Sequence, residues 1–331
     1  MRNCVVAVLA IALVLSIGGA AAEAAYKLRI GHHAAAFGSV DVVAAAMGYF
    51  DKTLGKGNYE LKQFKQGKLM AQAILARGVD VAQAAARPYV GYLGKGTKGM
   101  VAIGIQSYWC KASVLMVKPN SPYKSIQDLK GKKLVAGKAT STYYGFTRFI
   151  LPAVGLSEKD YQVVNAVTTD RIPALVNGTV DFALTTEPLP SIAEAKGLVR
   201  RIKGVDFCKY DDPPFVIVAD PRKVKNHPKV IENYLRAFLK GADLFTNNFD
   251  KFASVYRNEL VKKGKKVSLK TIKAGLKSIS MHPQIDSRFY NYVNKMAKVL
   301  KKDKKINVIP DFKKTGVIES PMKAAMGNPL N

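Results

Sequence analysis

The stretch QAILARGVDVAQ, Gln72–Gln83, returns about a hundred residues later as IPALVNGTVDFAL, Ile172–Leu184. Each copy reads as the end of a helix, a glycine, then Val-Asp opening an apolar strand. The glycine suits a helix C-cap because it accepts the left-handed backbone needed there. The aspartate can hold the turn through local hydrogen bonds. Each strand runs into a loop that soon reaches proline, Pro88 in the first copy and Pro188 in the second. A unit repeated at this distance predicts two lobes of like design rather than a short-period solenoid.

The flanking segments support that division. YKLRIG (Tyr26–Gly31) alternates like a strand, DVVAAAMGYF (Asp41–Phe50) reads as a helix, and YELKQF (Tyr59–Phe64) as a second strand. The βαβα order predicts an α/β fold with a mostly parallel sheet covered by helices. Between the copies lies ASVLMVKP (Ala112–Pro119), and after the second lies PPFVIVADP (Pro213–Pro221). Both are continuous apolar strands bounded by proline, and both read as crossings between lobes. Lobe 1 is then residues 26–111 plus 220–331, lobe 2 is residues 119–213, and residues 112–118 and 214–219 are hinge strands. Crossings in opposite directions set Cys110 and Cys208 at opposite ends of the hinge. That argues against a disulfide, whose Cα atoms must lie within about 7 Å; a loop folding back before Pro213 would reverse the argument.

Residues 1–24 have the form of a secretory signal peptide. Arg2 precedes the apolar run CVVAVLAIALVLSIGG and the small residues AAAEAA, with cleavage after Ala22 or Ala24. The alternative, a membrane anchor, needs about 20 apolar residues. Export to an oxidising compartment leaves Cys110 and Cys208, an even count that permits a disulfide. The formal charge is +28, and residues 222–331 hold 25 Lys and Arg against 8 Asp and Glu. These lysines follow helical patterns with few aromatics among them, so they read as a solvated basic face, not a nucleic-acid interface.

In open α/β sheets, ligands bind outside the carboxyl ends of the strands. Two facing lobes bring those ends to one cleft, and the loops there are expected to offer His32, Phe37, Arg87, Tyr89, Trp109, Thr140, Ser141, Thr142, Tyr143, Thr186 and Glu187. Arg87 and Glu187, each following one of the repeated strands, would face the ligand from opposite lobes. The hydroxyls of GKATSTYYGF (Gly137–Phe146) would grip an anionic head where a helix over Thr142–Ala153 begins; the alternative is a plain N-cap. The adjacent His32 and His33 diverge and have no other His or Cys at ligand spacing, so no metal is expected. No nucleophile, base and orienting group come together, and no G-x-S-x-G, P-loop or G-x-G-x-x-G motif occurs. No cofactor is expected.

With those residues in view, the chain resembles the type II periplasmic substrate-binding proteins of ABC importers. The likeness is to the nitrate, aliphatic sulfonate and taurine group, with thiamine-precursor pyrimidine binders as relatives. It runs over about residues 26–220 and rests on IGHHAAAFG, GYF, ARGVDVAQ, SIQDLKGKKLVAGKATST (Ser125–Thr142) and VDFALTTEP. The first loop departs from that pattern, carrying His-His and alanines where the family has polar contacts. The resemblance implies a two-lobed fold with a mixed sheet in each lobe. It also implies a monomeric receptor in the periplasm that captures a small anionic organic solute and hands it to a permease with its ATPase subunits. A pyrimidine-precursor binder, or an enzyme on the same fold, is the alternative; a basic surface-adhesion protein is a third.

Overall fold

The computed structural model describes residues 26–34, 36–210 and 212–330. The expected signal peptide, residues 1–24, lies outside the described residues. In chain order the elements begin β1 (Leu28–His33), α1 (Ser39–Ala46), α2 (Tyr49–Leu54), β2 (Tyr59–Phe64), α3 (Gly67–Leu75), β3 (Val81–Ala85), α4 (Ala86–Leu93) and β4 (Val101–Tyr108). Then come β5 (Ser113–Val117), β6 (Lys133–Ala136), α5 (Ser141–Gly145), α6 (Leu151–Ala153), β7 (Gln162–Asn165), α7 (Arg171–Val176), β8 (Phe182–Thr186), α8 (Leu189–Ala195), β9 (Arg200–Arg201) and α9 (Phe207–Tyr210). The last part holds β10 (Pro214–Ala219), α10 (Pro221–Asn226), α11 (Pro228–Asn247), α12 (Phe249–Lys262), α13 (Leu269–Leu276), β11 (Ser280–Met281), α14 (Ser287–Lys302) and α15 (Ser320–Gly327).

Two mixed sheets result. The first has the order β11-β4-β10-β3-β1-β2 and the second β7-β6-β8-β5-β9. In each, the second, first and third strands of a βαβα run lie parallel: β2-β1-β3 in one, β7-β6-β8 in the other. An antiparallel strand then packs against the third, β10 against β3 and β5 against β8. The two lobes of like design are therefore realised strand for strand.

The repeated segment has a physical meaning that differs in part from the expected one. At the end of α7, Gly178 takes φ 80° and the next N–H, of Thr179, reaches back to Ala174 O at 3.1 Å. At the end of α3 the left-handed residue is Arg77, φ 60°, while Gly78 N–H bonds Ala73 O at 2.7 Å. Both are Schellman closures, but the glycines sit one position apart in them. The aspartates do not hold local turns. Asp80 accepts from Arg29 N–H on β1 at 2.9 Å, and Asp181 accepts from Lys133 N–H on β6 at 2.8 Å. Each ties the third strand of its sheet to the first.

The segments expected to be hinge strands are corrected by the topology. Residues 113–117 are β5, inside the second sheet, and residues 214–219 are β10, inside the first. Every residue of β10 is buried, so its unbroken apolar run reflects burial of both faces of a central strand. The chain passes between sheets at Trp109–Ala112 and again in the stretch after β9. Because β10 returns antiparallel to β4, with Pro214 paired to Tyr108, exit and re-entry lie side by side. Cys110 and Cys208 consequently meet, with Cα atoms 4.9 Å apart in a disulfide. The expectation against that bond fails because α9 folds back onto the outgoing turn.

Helices cover both faces of the first sheet. One core gathers Leu28, Ile30, Val40, Phe50, Tyr234, Phe238 and Phe252 beneath α1, α2, α11 and α12. The other gathers Met70, Ile74, Tyr89, Phe289 and Met296 beneath α3, α4 and α14, and continues through Tyr108 and Trp109 to Leu115, Phe146 and Phe182 of the second lobe. The basic third keeps Lys262, Lys263, Lys265, Lys266, Lys270 and Lys277 exposed, as expected of a solvated face. Among the described residues no helix is long and apolar enough to cross a membrane.

One polar group is sealed into the α1–α11 core. Asp41 is fully buried, accepting from Tyr234 Oη at 3.2 Å and from Gln83 Nε2. Burial pushes its pKa up from 3.8 to about 7, against the pull of those two hydrogen bonds. A carboxyl with a higher pKa folded than unfolded keeps its proton longer in the folded chain. Its contribution is fullest in acid and declines as pH rises from about 4 to about 7, by an order of 4 kcal/mol. Asp41→Asn removes this slope, and Gln83, whose Oε1 is unpartnered, can turn its amide to face the new donor. Urea unfolding at about pH 4 and about pH 8 should show the variant gaining about 4 kcal/mol more than the wild type on going to the higher pH, on top of the gain that buried, neutral His32 and His33 give to both; parallel profiles would refute the assignment.

Candidate ligand-binding site

Strand ends of both sheets meet around a cavity of about 30 Å³. Lobe 1 contributes His33 at the end of β1, Gln66 and Gly67 at the start of α3, Ala85 at the end of β3, and Phe215 on β10. Lobe 2 contributes Thr140, Ser141 and Thr142 after β6, Thr168 and Arg171 at the start of α7, and Thr186 at the end of β8. Trp109, on the outgoing crossing, lies between them and meets the Phe215 ring edge-on, with centroids 6.4 Å apart. A space of this size holds about one or two waters, so the lobes are closed against each other further than a bound organic molecule would let them close.

Of the expected residues, Trp109, Thr140, Ser141, Thr142 and Thr186 line this cavity. Thr140 is an N-cap: its Oγ1 accepts from Tyr143 N–H at 3.2 Å and donates to Gly137 O at 2.8 Å. The expected helix begins there and runs through α5 and a wide turn at Phe146–Ile150 to the end of α6, with Gly155 at φ 73° just beyond. Ser141 Oγ accepts from Arg87 N–H at 2.9 Å, a bond made across the lobes.

The other expected residues are elsewhere. Arg87 lies outside the cavity lining and clamps the lobes, its guanidinium donating to Ala139 O at 3.3 Å and Tyr144 Oη at 3.2 Å and lying 4.4 Å from the Tyr144 ring centre. Glu187 does not face the cavity: Arg201 donates to Oε1 and Ser191 N–H to Oε2 at 3.3 Å. Tyr89 is buried within lobe 1, donating to Gly316 O at 2.7 Å. Tyr143 donates to Glu158 at 2.5 Å. His32 is absent from the cavity lining; burial, then the charge of Lys263, holds its pKa down to about 4. Phe37 belongs to the short turn Ala36–Gly38, and its side chain lies outside the described residues.

Sequence reasoning missed Arg171 and His33 as wall residues. Arg171 is 1% exposed. Its Nε donates to Ala166 O at 3.2 Å and its Nη1 to Leu184 O at 3.1 Å. Burial draws its pKa down to about 10. His33 packs edge-on against Phe215 with centroids 5.6 Å apart, and burial, then the charges of His32 and Arg171, hold its pKa near 3. The one available signal for Arg171 was its place: the first residue of the helix that leads into the second repeated strand. Among the described residues no group of His, Cys, Asp and Glu could hold a metal ion.

Comparison with known proteins agrees with this architecture. A protein of Escherichia coli (strain K12) named for binding aliphatic sulfonates is 29% identical over 228 residues, 68% of this chain and 70% of its own length. The fold is similar to the alkanesulfonate-binding protein SsuA from Xanthomonas axonopodis pv. citri, solved bound to MOPS. That match has TM-score 0.76 and 17% identity, covering 90% of this chain and 100% of that one. It is also similar to the periplasmic aliphatic sulphonate binding protein SsuA from Escherichia coli, with TM-score 0.72 and 20% identity over 88% and 97%. The family described as NMT1/THI5 like matches residues 40–251, from α1 to the start of α12, and to that family this chain belongs.

Proposed function

We propose that this protein is an extracytoplasmic receptor that closes on a small organic anion and delivers it to an ABC importer. The observation that carries the reading is the cavity itself, walled by the strand ends of two sheets joined through two adjacent crossings. Walls drawn from both lobes mean that a solute must enter with the lobes apart and is then enclosed by hinge closure. Arg87 and the ion pair of Arg148 with Asp303, 2.8 Å across the lobes, hold the enclosed form. Relatives named for sulfonate binding support an anionic solute, and the form of residues 1–24 supports a periplasmic location. The permease and ATPase partners follow from the kind of importer such receptors serve.

Scattering tests the closure. Protein unfolded, washed free of small molecules and refolded should be more extended than native protein. Adding back the solvent extract of native protein should compact it, and mass spectrometry of the extract names the solute. A profile that does not change on adding the extract would overturn the receptor reading.

A further inference from the structure

Arg171 brings a positive charge into the interior with neutral acceptors only. Ala166 O and Leu184 O take Nε and Nη1, and Nη2, also buried, has no hydrogen-bond partner among the described residues. No carboxylate lines the cavity beside it. Nη2 rests on the backbone at Gly137, where an added Cβ would collide with it, and so lies beside the Thr140–Thr142 turn. Across the cavity His33 is held neutral, so no second cation joins it. An uncompensated buried guanidinium is costly unless something of opposite sign is supplied.

We propose that the Arg171 guanidinium is the counter-charge for the solute's head group and restricts the solute to organic anions carrying one negative charge on a compact oxyanion, a sulfonate or a carboxylate. The proposal rests on the receptor reading and goes beyond it to the charge of the ligand. Enclosing a monoanion leaves the cavity neutral. An uncharged solute leaves one unmatched positive charge, and a dianion such as sulfate leaves one unmatched negative charge, with hydroxyls as the remaining donors. The arrangement also links charge to closure. His33 and Phe215, which help cover the guanidinium, belong to the opposite lobe, so closing without an anion strands the charge from water.

Calorimetry on the refolded, solute-free full chain tests this with ethanesulfonate, butanesulfonate, propionate, sulfate and ethyl methyl sulfone as probes. At least one of the three monoanions should bind, and sulfate and the sulfone should bind about 100-fold more weakly or not at all. Arg171→Met should abolish monoanion binding and Arg171→Lys should retain part of it. Gly137→Ala, which keeps the charge but displaces Nη2, should weaken binding as well. The proposal is overturned if no monoanion binds, if the sulfone or sulfate matches the best monoanion within about threefold, or if Arg171→Met keeps wild-type affinity. The wild-type comparison stands even if a variant fails to fold. Monoanion binding with unchanged scattering would uphold the charge assignment and sink the closing receptor. Closure on an uncharged compound recovered from the native protein would do the reverse.

Discussion

Cys208→Ser should lower the unfolding free energy by about 4 to 5 kcal/mol. The disulfide joins residues 98 apart, and cross-linking so long a loop removes much of the freedom of the unfolded chain. For a chain of this length each kcal/mol corresponds to about 1.4 °C, so melting should fall by about 6 °C. Cys110→Ser should give the same loss, and the double variant should be no worse than either single one, because the bond is lost once. Reduction of the wild type should reproduce the shift, and the serine variants should be indifferent to reductant. A double variant twice as unstable as the singles would show that the side chains act through packing instead of the cross-link.

Arg201→Met should cost about 3–5 kcal/mol, because it strands a carboxylate in the interior. Glu187 is 1% exposed, and Arg201 is its charged partner; the same guanidinium also bonds Glu194 at 2.8 Å and Ser191 Oγ at 2.7 Å. Left with only the Ser191 N–H, the Glu187 oxygens would be desolvated without compensation. Glu187→Gln in the same background removes the stranded charge and should recover most of the loss, so a double-mutant cycle by denaturant unfolding will show strong coupling. Additive losses would mean that the pair contributes little. Glu187→Gln alone should leave discrimination between amine-bearing and neutral ligands unchanged, since Glu187 is committed to Arg201 rather than to a solute.

What could be read from the chain follows the range of the forces involved. The helix-turn-strand repeat is written in neighbouring residues, and the α/β fold in two lobes followed from it; the residues alone predicted mostly parallel sheets, and the antiparallel strands β10 and β5 that make both sheets mixed came only with the family resemblance. The capping role of Thr140 was also within reach, because a cap is a contact over three residues. Strand pairing over long distances was not. Val114 and Val216 sit in apolar runs that look alike whether a strand crosses between sheets or lies inside one, and only pairing with Thr185 or Ala84 decides. The disulfide depended on that same pairing. Of the residues expected at a cleft, Trp109 and Thr186 line the cavity because they stand at strand ends, and Ser141 because it opens the helix that follows one. Arg87 and Glu187 stand at such ends too, yet each is taken by a partner that sequence distance hides, Tyr144 for one and Arg201 for the other. Arg171 escaped because nothing local distinguishes a buried arginine from an exposed one.

The position of β10 governs the order in which the polypeptide can assemble. When synthesis has reached Tyr210, every strand of the second sheet and both members of the Cys110–Cys208 pair have emerged. The first sheet is then still in two pieces, β2-β1-β3 on one side and β4 on the other, because only β10 joins them. Loop closure over so many residues would be slow and entropically unfavourable for a disordered intervening chain. Once that insert has folded, its two ends stand 4.9 Å apart at the cysteines, and β10 meets β4 much as the second arm of a hairpin meets the first. The middle of the gene thus acts as a turn for its two flanks, and the half that is made first is finished last.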